Sequence, residues 1–220
     1  MSFLINIETS TTNCSVSLSL KNDLIDIIEK DSVSYSHSEN LHYFISELLK
    51  KNKINFKDLS AVSVSRGPGS YTGLRIGLSA AKGICYGVDI PLISISSLKI
   101  LAKSSQFDGY IISTMDARRD EIYSCIYDSK LNIIREEKPE IVNKQTFVDF
   151  SEDNKVLIIG DGQSKCKNLI EINNNFNFDE NILKPSSKDM VELAFEKFRK
   201  KNFENLAYFE PKYLKEFRSN

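Results

Sequence analysis

The spacing of apolar and polar positions changes several times along the chain, and each change marks an element. Residues 3–7 are almost continuously apolar and read as a buried strand that ends at Glu8. After a hydroxyl-rich turn at 9–13, residues 14–20 alternate with period two, as a second strand does. Lys21-Asn22-Asp23 turns the chain into a third strand at 24–29. Ser36 and Glu39 then make the S-x-x-E pattern of a capping box. Leu41, Phe44, Ile45, Leu48 and Leu49 follow at helical spacing and predict one apolar helix face. Residues 59–64 alternate apolar and small polar groups, predicting a half-buried strand, and 67–70 (Gly-Pro-Gly-Ser) break it. Ser70 or Thr72 can cap a helix running to about Tyr86. Residues 91–95 and a short helix through Leu98, Leu101 and Ala102 close the first half.

The second half starts the series again. Residues 110–115 form a strand that ends in an acid, Asp116, and a polar turn leads to a strand at 121–127. A short turn then enters a third strand at 131–135. A helical stretch near 145–150, a strand at 156–159, the turn Gly160-Asp161-Gly162 and a helix through Leu169 follow. Residues 173–177 read as an asparagine-rich loop, and Ser187 can cap a last helix carrying Met190, Val191, Ala194, Phe195 and Phe198. The order, not the residue identity, repeats. It predicts an α/β chain with two mixed-sheet halves, 1–104 and 105–220, the second degenerate and its last helix packing back on the first. Three antiparallel strands followed by β/α elements, present twice, are the ground plan of actin-like and Hsp70-like (ASKHA, ribonuclease-H-like) domains.

The helix after the glycine turn has an uncommon composition. Gly73, Gly77 and Gly83 lie inside it, each costing roughly 1 kcal/mol against alanine. Arg75, Ser79, Lys82 and Tyr86 make one narrow polar stripe, and Leu74, Ile76, Leu78 and Ile84 alternate with small residues elsewhere. Such a helix is approached closely from more than one side. Two readings fit: a central helix pressed on its own sheet, or a helix that also meets another subunit.

Composition narrows the chemistry. The 220 residues are 41% hydrophobic and 27% charged with net charge −1, so no global basic field grips nucleic acid. Lysines at 50–57 and the basic run 199–201 sit at expected helix ends, where they complement the helix dipole. The four cysteines are widely spaced without a C-x-x-C pair, which predicts reduced thiols in a soluble, cytoplasmic protein. No apolar run reaches the roughly 18 residues of a membrane span.

Candidate chemistry can be tested residue by residue. The turn lacks the lysine of a phosphate-binding P-loop. As a dinucleotide fingerprint, Gly67-x-Gly69 has its third glycine one place late at Gly73, with Asp89 about 20 residues on. The two histidines, His37 and His42, are five apart and would point about 140° apart on a helix, so they make no shared metal site. No histidine is placed beside a particular serine for nucleophilic catalysis. Glu8 and Asp116 end equivalent strands, where active members of this fold class hold Mg²⁺ with ATP; a free-standing ATPase or phosphotransferase would use them. The simpler alternative is that each acid caps its own turn.

The run SRGPGSYTGLRIGLSAAKG at 65–83 resembles the signature of the TsaB family, also called YeaZ. Residues 5–20, 115–118 with 121–123, 160–162 and 210–214 support the likeness. The resemblance implies the same fold and a non-catalytic scaffold in making threonylcarbamoyl-adenosine beside the tRNA anticodon. It implies pairing with a TsaD-like transferase, whose H-x-x-x-H metal pair this chain lacks, and a TsaE-like ATPase in the larger complex. Homodimers would form when the partner is absent, and tRNA would be met only through the complex. Glu8 stands where that family usually has aspartate. No cofactor is expected. The family's pairing helices map to 41–49 and 73–87. The expected contact residues are Leu41, Phe44, Ile45, Leu48, Tyr71, Gly73, Leu74, Ile76, Gly77, Ala80, Ala81 and Ile84.

Overall fold

The structure is a computed structural model that describes residues 2–32 and 37–215. It divides into two compact units. The first comprises the chain up to Ile100 together with Pro185–Lys212, and the second Leu101–Lys184 with the residues from Tyr213 on. The division expected at 104/105 is therefore moved, and residues 105–220 are not one unit. The cause lies in the packing of the returning segment, described below.

In the first unit β1 (Phe3–Glu8), β2 (Asn13–Leu20) and β3 (Asp23–Asp31) pair antiparallel. β4 (Leu59–Ser65) and β5 (Leu92–Ile95) add in parallel, giving the order β3-β2-β1-β4-β5. Between them run α1 (His37–Lys51) and α2 (Tyr71–Val88), and α3 (Ser97–Lys103) follows β5. In the second unit β6 (Tyr110–Asp116), β7 (Glu121–Tyr127) and β8 (Ile133–Ile141) are antiparallel, with β9 (Val156–Ile159) and β10 (Phe176–Phe178) parallel beside β6. The order β8-β7-β6-β9-β10 repeats that of the first sheet. The two mixed sheets thus carry the duplicated actin-like plan.

The period-two pattern of β2 sorts its side chains onto two faces. Cys14, Val16 and Leu18 join Ile5, Ile7, Val62 and Val64 in a core covered by α1 and α2. Ser15, Ser17 and Ser19 point the other way, yet they are as buried as the apolar set. The returning segment covers them. Ser187 at the start of a 3-10 turn (Ser187–Met190) has its Oγ 2.7 Å from Ser15 Oγ, and its carbonyl accepts from Ser17 Oγ at 2.9 Å. Asn6 bridges the row, donating to Ser17 Oγ (3.1 Å) and accepting from Ser63 Oγ (2.6 Å). Small hydroxyls let backbone lie close to the sheet while every partner is supplied. From that turn α6 (Val191–Arg199) packs Met190 and Ala194 on Leu4, Ala61, Ile93 and Ile95. β4, expected to be half-buried, is consequently buried on both faces.

Four local expectations differ from the structure, the first being the strand read at 131–135, which is found as β8 at 133–141 because Leu131 lies in the preceding turn with φ 62°. The stretch at 173–177 is not simply a loop, because Phe176 and Phe178 alternate within it and form β10. The asparagines serve the connection, Asn175 Nδ2 donating to the Ser151 carbonyl at 2.7 Å. The helix near 145–150 contracts to α4 (Val148–Ser151), entered from Phe147 with φ 67°. Ser186 rather than Ser187 caps the last helical stretch. The capping-box residue Ser36 lies outside the described residues. α5 (Gln163–Leu169) completes the second unit.

Candidate functional site

The turn after β4 rests on the turn after β1. Gly67 has φ +100°, and the Gly67–Pro68 peptide is cis. Gly69 lies so close to Ser10 that an added Cβ would overlap the Ser10 carbonyl oxygen. The Ser70 N–H donates to that same oxygen at 2.7 Å. Ser70, not Thr72, caps α2, its Oγ accepting from the Gly73 N–H at 3.2 Å. Thr9 Oγ1 donates to the Gly73 carbonyl at 2.9 Å. A Cβ on Gly73 would overlap the Thr9 carbonyl oxygen, and one on Gly77 would overlap Thr9 Oγ1. These two glycines are small because of this chain's own β1–β2 turn.

Gly83 is different. It is exposed, and an added Cβ there would meet nothing within 4 Å. It faces a groove of about 920 Å³ along α2, closed by the side of α1 at Ser38 and His42 and by Phe56. The twelve expected contact residues divide on this geometry. Tyr71, Ile76, Ala80 and Ile84 line the groove. Leu41, Phe44, Ile45 and Leu48 do not, being buried in the first unit's core, as is Ala81. Leu74 is buried under the glycine turn, where its Cδ1 bounds Gly67. With Gly73 and Gly77, these eight are buried within the first unit and do not line the groove. The reason is that the apolar stripe of α1 covers β2 rather than pointing outward. Phe56, His42, Thr72, Ser79 and Gly83 line the groove and were missed. For Thr72, Ser79 and Gly83 the signal was the three- and four-residue spacing of 72, 75, 76, 79, 80, 83 and 84, which marks one helix face; no such spacing marks His42 or Phe56. Arg75 lies over the Tyr71 ring, 4.0 Å from its centroid.

The candidate acids have the simpler role. Glu8 is fully buried, and its Oε1 accepts the Ser10 N–H at 2.5 Å. Desolvation pushes its carboxyl up to about 7, against the lowering influence of hydrogen bonds from Ser10 and Ser65. Within the turn the Asn13 N–H donates to Thr11 Oγ1 (3.2 Å) and His37 Nε2 lies 2.7 Å from the Thr11 carbonyl, while Ser10 Oγ and Glu8 Oε2 are buried without a hydrogen-bond partner. Asp116, in the other unit, accepts the Arg118 N–H at 2.6 Å and pairs with Lys165 Nζ at 2.9 Å. Each acid therefore ends a strand and caps its own turn two residues on. Among the described residues no three His, Cys, Asp or Glu side chains gather to hold a metal.

The dinucleotide reading fails on distance. Asp89 ends α2 with φ 55°, at the opposite end of an 18-residue helix from Gly69, or about 27 Å at 1.5 Å per residue. The four cysteines are free and buried, their thiols pushed up by desolvation to about 11 at Cys14, Cys85 and Cys125 and about 12 at Cys166. Among the described residues no helix is long and apolar enough to cross a membrane.

Comparison with known proteins gives three findings. Residues 31–219 match the family model described as "TsaD: tRNA N6-adenosine threonylcarbamoyltransferase". The tRNA threonylcarbamoyladenosine biosynthesis protein TsaB of Bacillus subtilis is 32% identical over 73% of this chain and 72% of its own length. The protein of the same name from Buchnera aphidicola is 30% identical over 90% and 91%. Among solved structures, YeaZ from Pseudomonas aeruginosa superimposes with TM-score 0.85 at 23% identity, covering 97% of this chain and all of that one (100%).

Proposed function

This chain belongs to the TsaB family, also called YeaZ, and on that premise we propose that it is the non-catalytic partner subunit of a TsaD-like threonylcarbamoyltransferase. The family makes it a protein of tRNA threonylcarbamoyladenosine biosynthesis. Its share of that work is to bind and stabilise the paralogue that transfers the group to tRNA adenosine. A TsaE-like ATPase joins the larger assembly, tRNA is engaged through the complex, and the setting is the cytoplasm. Without its partner the same surface pairs two copies of this chain.

One observation carries the reading. Along one side of α2 lies an open, largely apolar groove of about 920 Å³, floored by Ala80 and Gly83 and walled by Tyr71, Ile76 and Ile84. Small residues at the floor let a facing backbone approach, and the aromatic and aliphatic walls supply buried area. The one charged side chain lining it is Arg75, which lies over the Tyr71 ring. The burial of Glu8 and the engagement of the Ser10 and Asn13 amides within the turn support a non-catalytic role, since a phosphate taking those amides would have to displace the chain's own hydrogen bonds. The test is co-purification of the tagged chain with a TsaD-like protein carrying H-x-x-x-H, compared with Ile76→Glu. Retention of the partner by Ile76→Glu would remove the groove from the interface.

A further inference from the structure

The turn from β6 to β7 carries Arg118 and Arg119 at its tip. Both have positive φ, 68° and 49°, a region that costs a non-glycine residue roughly 1 kcal/mol and that hairpin tips ordinarily fill with Asn or Gly. The turn is closed without their side chains. The Ala117 N–H donates to the Glu121 carbonyl (3.1 Å), the Glu121 N–H to the Arg118 carbonyl (3.2 Å), and the Arg118 N–H to Asp116 Oδ1 (2.6 Å).

The acids beneath the tip are already taken. Lys165 Nζ pairs with Asp116 at 2.9 Å and donates to the Glu121 carbonyl at 3.0 Å. Lys215 pairs with the Glu121 carboxylate, donates to the Ala117 carbonyl at 3.3 Å, and stands over the Tyr123 ring. Asp161 accepts the Asp116 N–H. Asp120, beside the tip, is exposed. Among the described residues no hydrogen bond or ion pair engages either arginine's guanidinium, and both residues are exposed. Asn-Gly would suit this backbone better than two arginines, and the two guanidinium groups are free to meet something outside this chain.

We propose that the Arg118–Arg119 tip binds phosphate, and that the phosphate is the backbone of the RNA handled by the assembly. A guanidinium presents a planar fork that fits two phosphate oxygens, which a lysine ammonium does not. The net charge of −1 leaves no broad field to do this work, so the contact is local and small in number. The inference rests on the family reading above, because that reading places an RNA in reach.

The test uses Arg118→Asn with Arg119→Gly, residues suited to positive φ, so the turn survives and the melting temperature holds or rises. tRNA binding by the reconstituted complex is titrated across about 50 to 300 mM salt, with ATP binding measured in parallel. Two lost phosphate contacts lower the slope of log K against log salt by about 1.4–1.8, and affinity falls roughly tenfold or more at the low-salt end. Unchanged affinity and slope overturn the proposal. A loss confined to ATP moves the phosphate to a free nucleotide and overturns the RNA assignment. Loss of the protein partner from the double variant means that the tip meets an acidic protein surface, and also overturns it. Failure of the wild-type chain to hold any TsaD-like partner strikes the scaffold reading alone, and the same titration on the full chain by itself then decides the tip.

Discussion

Gly83→Leu separates stability from partner binding, because the structure gives opposite signs for the two. Gly83 is an interior residue of α2 with open space around its Cα. Replacing glycine by leucine at such a position gains about 0.8 kcal/mol of helix propensity. For a chain of this size that raises the melting temperature by about 2–3 °C. The same side chain enters the floor of the groove, where a docked backbone would lie. Overpacking of a close-packed contact costs about 1–3 kcal/mol, which is a roughly 5- to 150-fold weaker Kd. Gly77→Leu is the matched control, since its Cβ would overlap Thr9 Oγ1 and the cost falls on folding. The assay is a thermal melt of each variant followed by calorimetric titration with the purified TsaD-like partner. A Gly83→Leu protein that melts higher yet binds within twofold of wild type refutes the placement of the interface. One that melts several degrees lower refutes the openness of the site.

Three further outcomes follow from the packing. Burial pushes the Glu8 carboxyl up to about 7 from its ordinary 4.5. An acid whose pKa is raised binds its proton more tightly when folded, so its contribution is full below about 4.5, declines as pH rises, and is gone above about 7. The span is about 3 kcal/mol. Buried His37, its pKa lowered by desolvation, acts in the opposite sense, adding stability above the ordinary histidine value. The urea-midpoint difference between wild type and Glu8→Gln isolates the Glu8 contribution: Glu8→Gln gains on wild type between pH 5 and 8, and equal pH slopes would contradict the burial argument. Ser70→Ala removes the cap of α2 and lowers stability by about 1 kcal/mol in denaturant unfolding, where no change would contradict the cap. Phe176→Ala costs about 3–5 kcal/mol, because Phe176 is a core residue of β10; tolerance of the change would return 173–177 to a loop.

The regular elements were legible because their periods are unambiguous. β7 and β9 occupy the stretches their patterns predicted, and Asp116 and Glu8 fall at strand ends as read. Burial on the second face of the first sheet was not legible. Ser15 and Ser17 look like solvent-facing positions, and the return of Ser187 from far along the chain covers them. The same long-range return moved the division between the units. On α2 the glycine spacing held part of the answer. Gly73 and Gly77 are four apart and share a face, while Gly83 is six further and turned about 120° from Gly77 and about 80° from Gly73. Which face met the chain's own Thr9, and which stayed open, required the β1–β2 turn to be in place. On α1, Leu41, Phe44, Ile45 and Leu48 make a strong apolar face, and that face covers its own sheet.

The central claim is that α2 presents this chain to a catalytic paralogue. Native mass spectrometry of the tagged chain, purified gently from its own cell extract, tests it most directly. The account predicts a stoichiometric complex with a protein carrying H-x-x-x-H, retained in Ser70→Ala and lost or depleted in Ile76→Glu. A lone monomer, or a homodimer unaffected by Ile76→Glu, would contradict it.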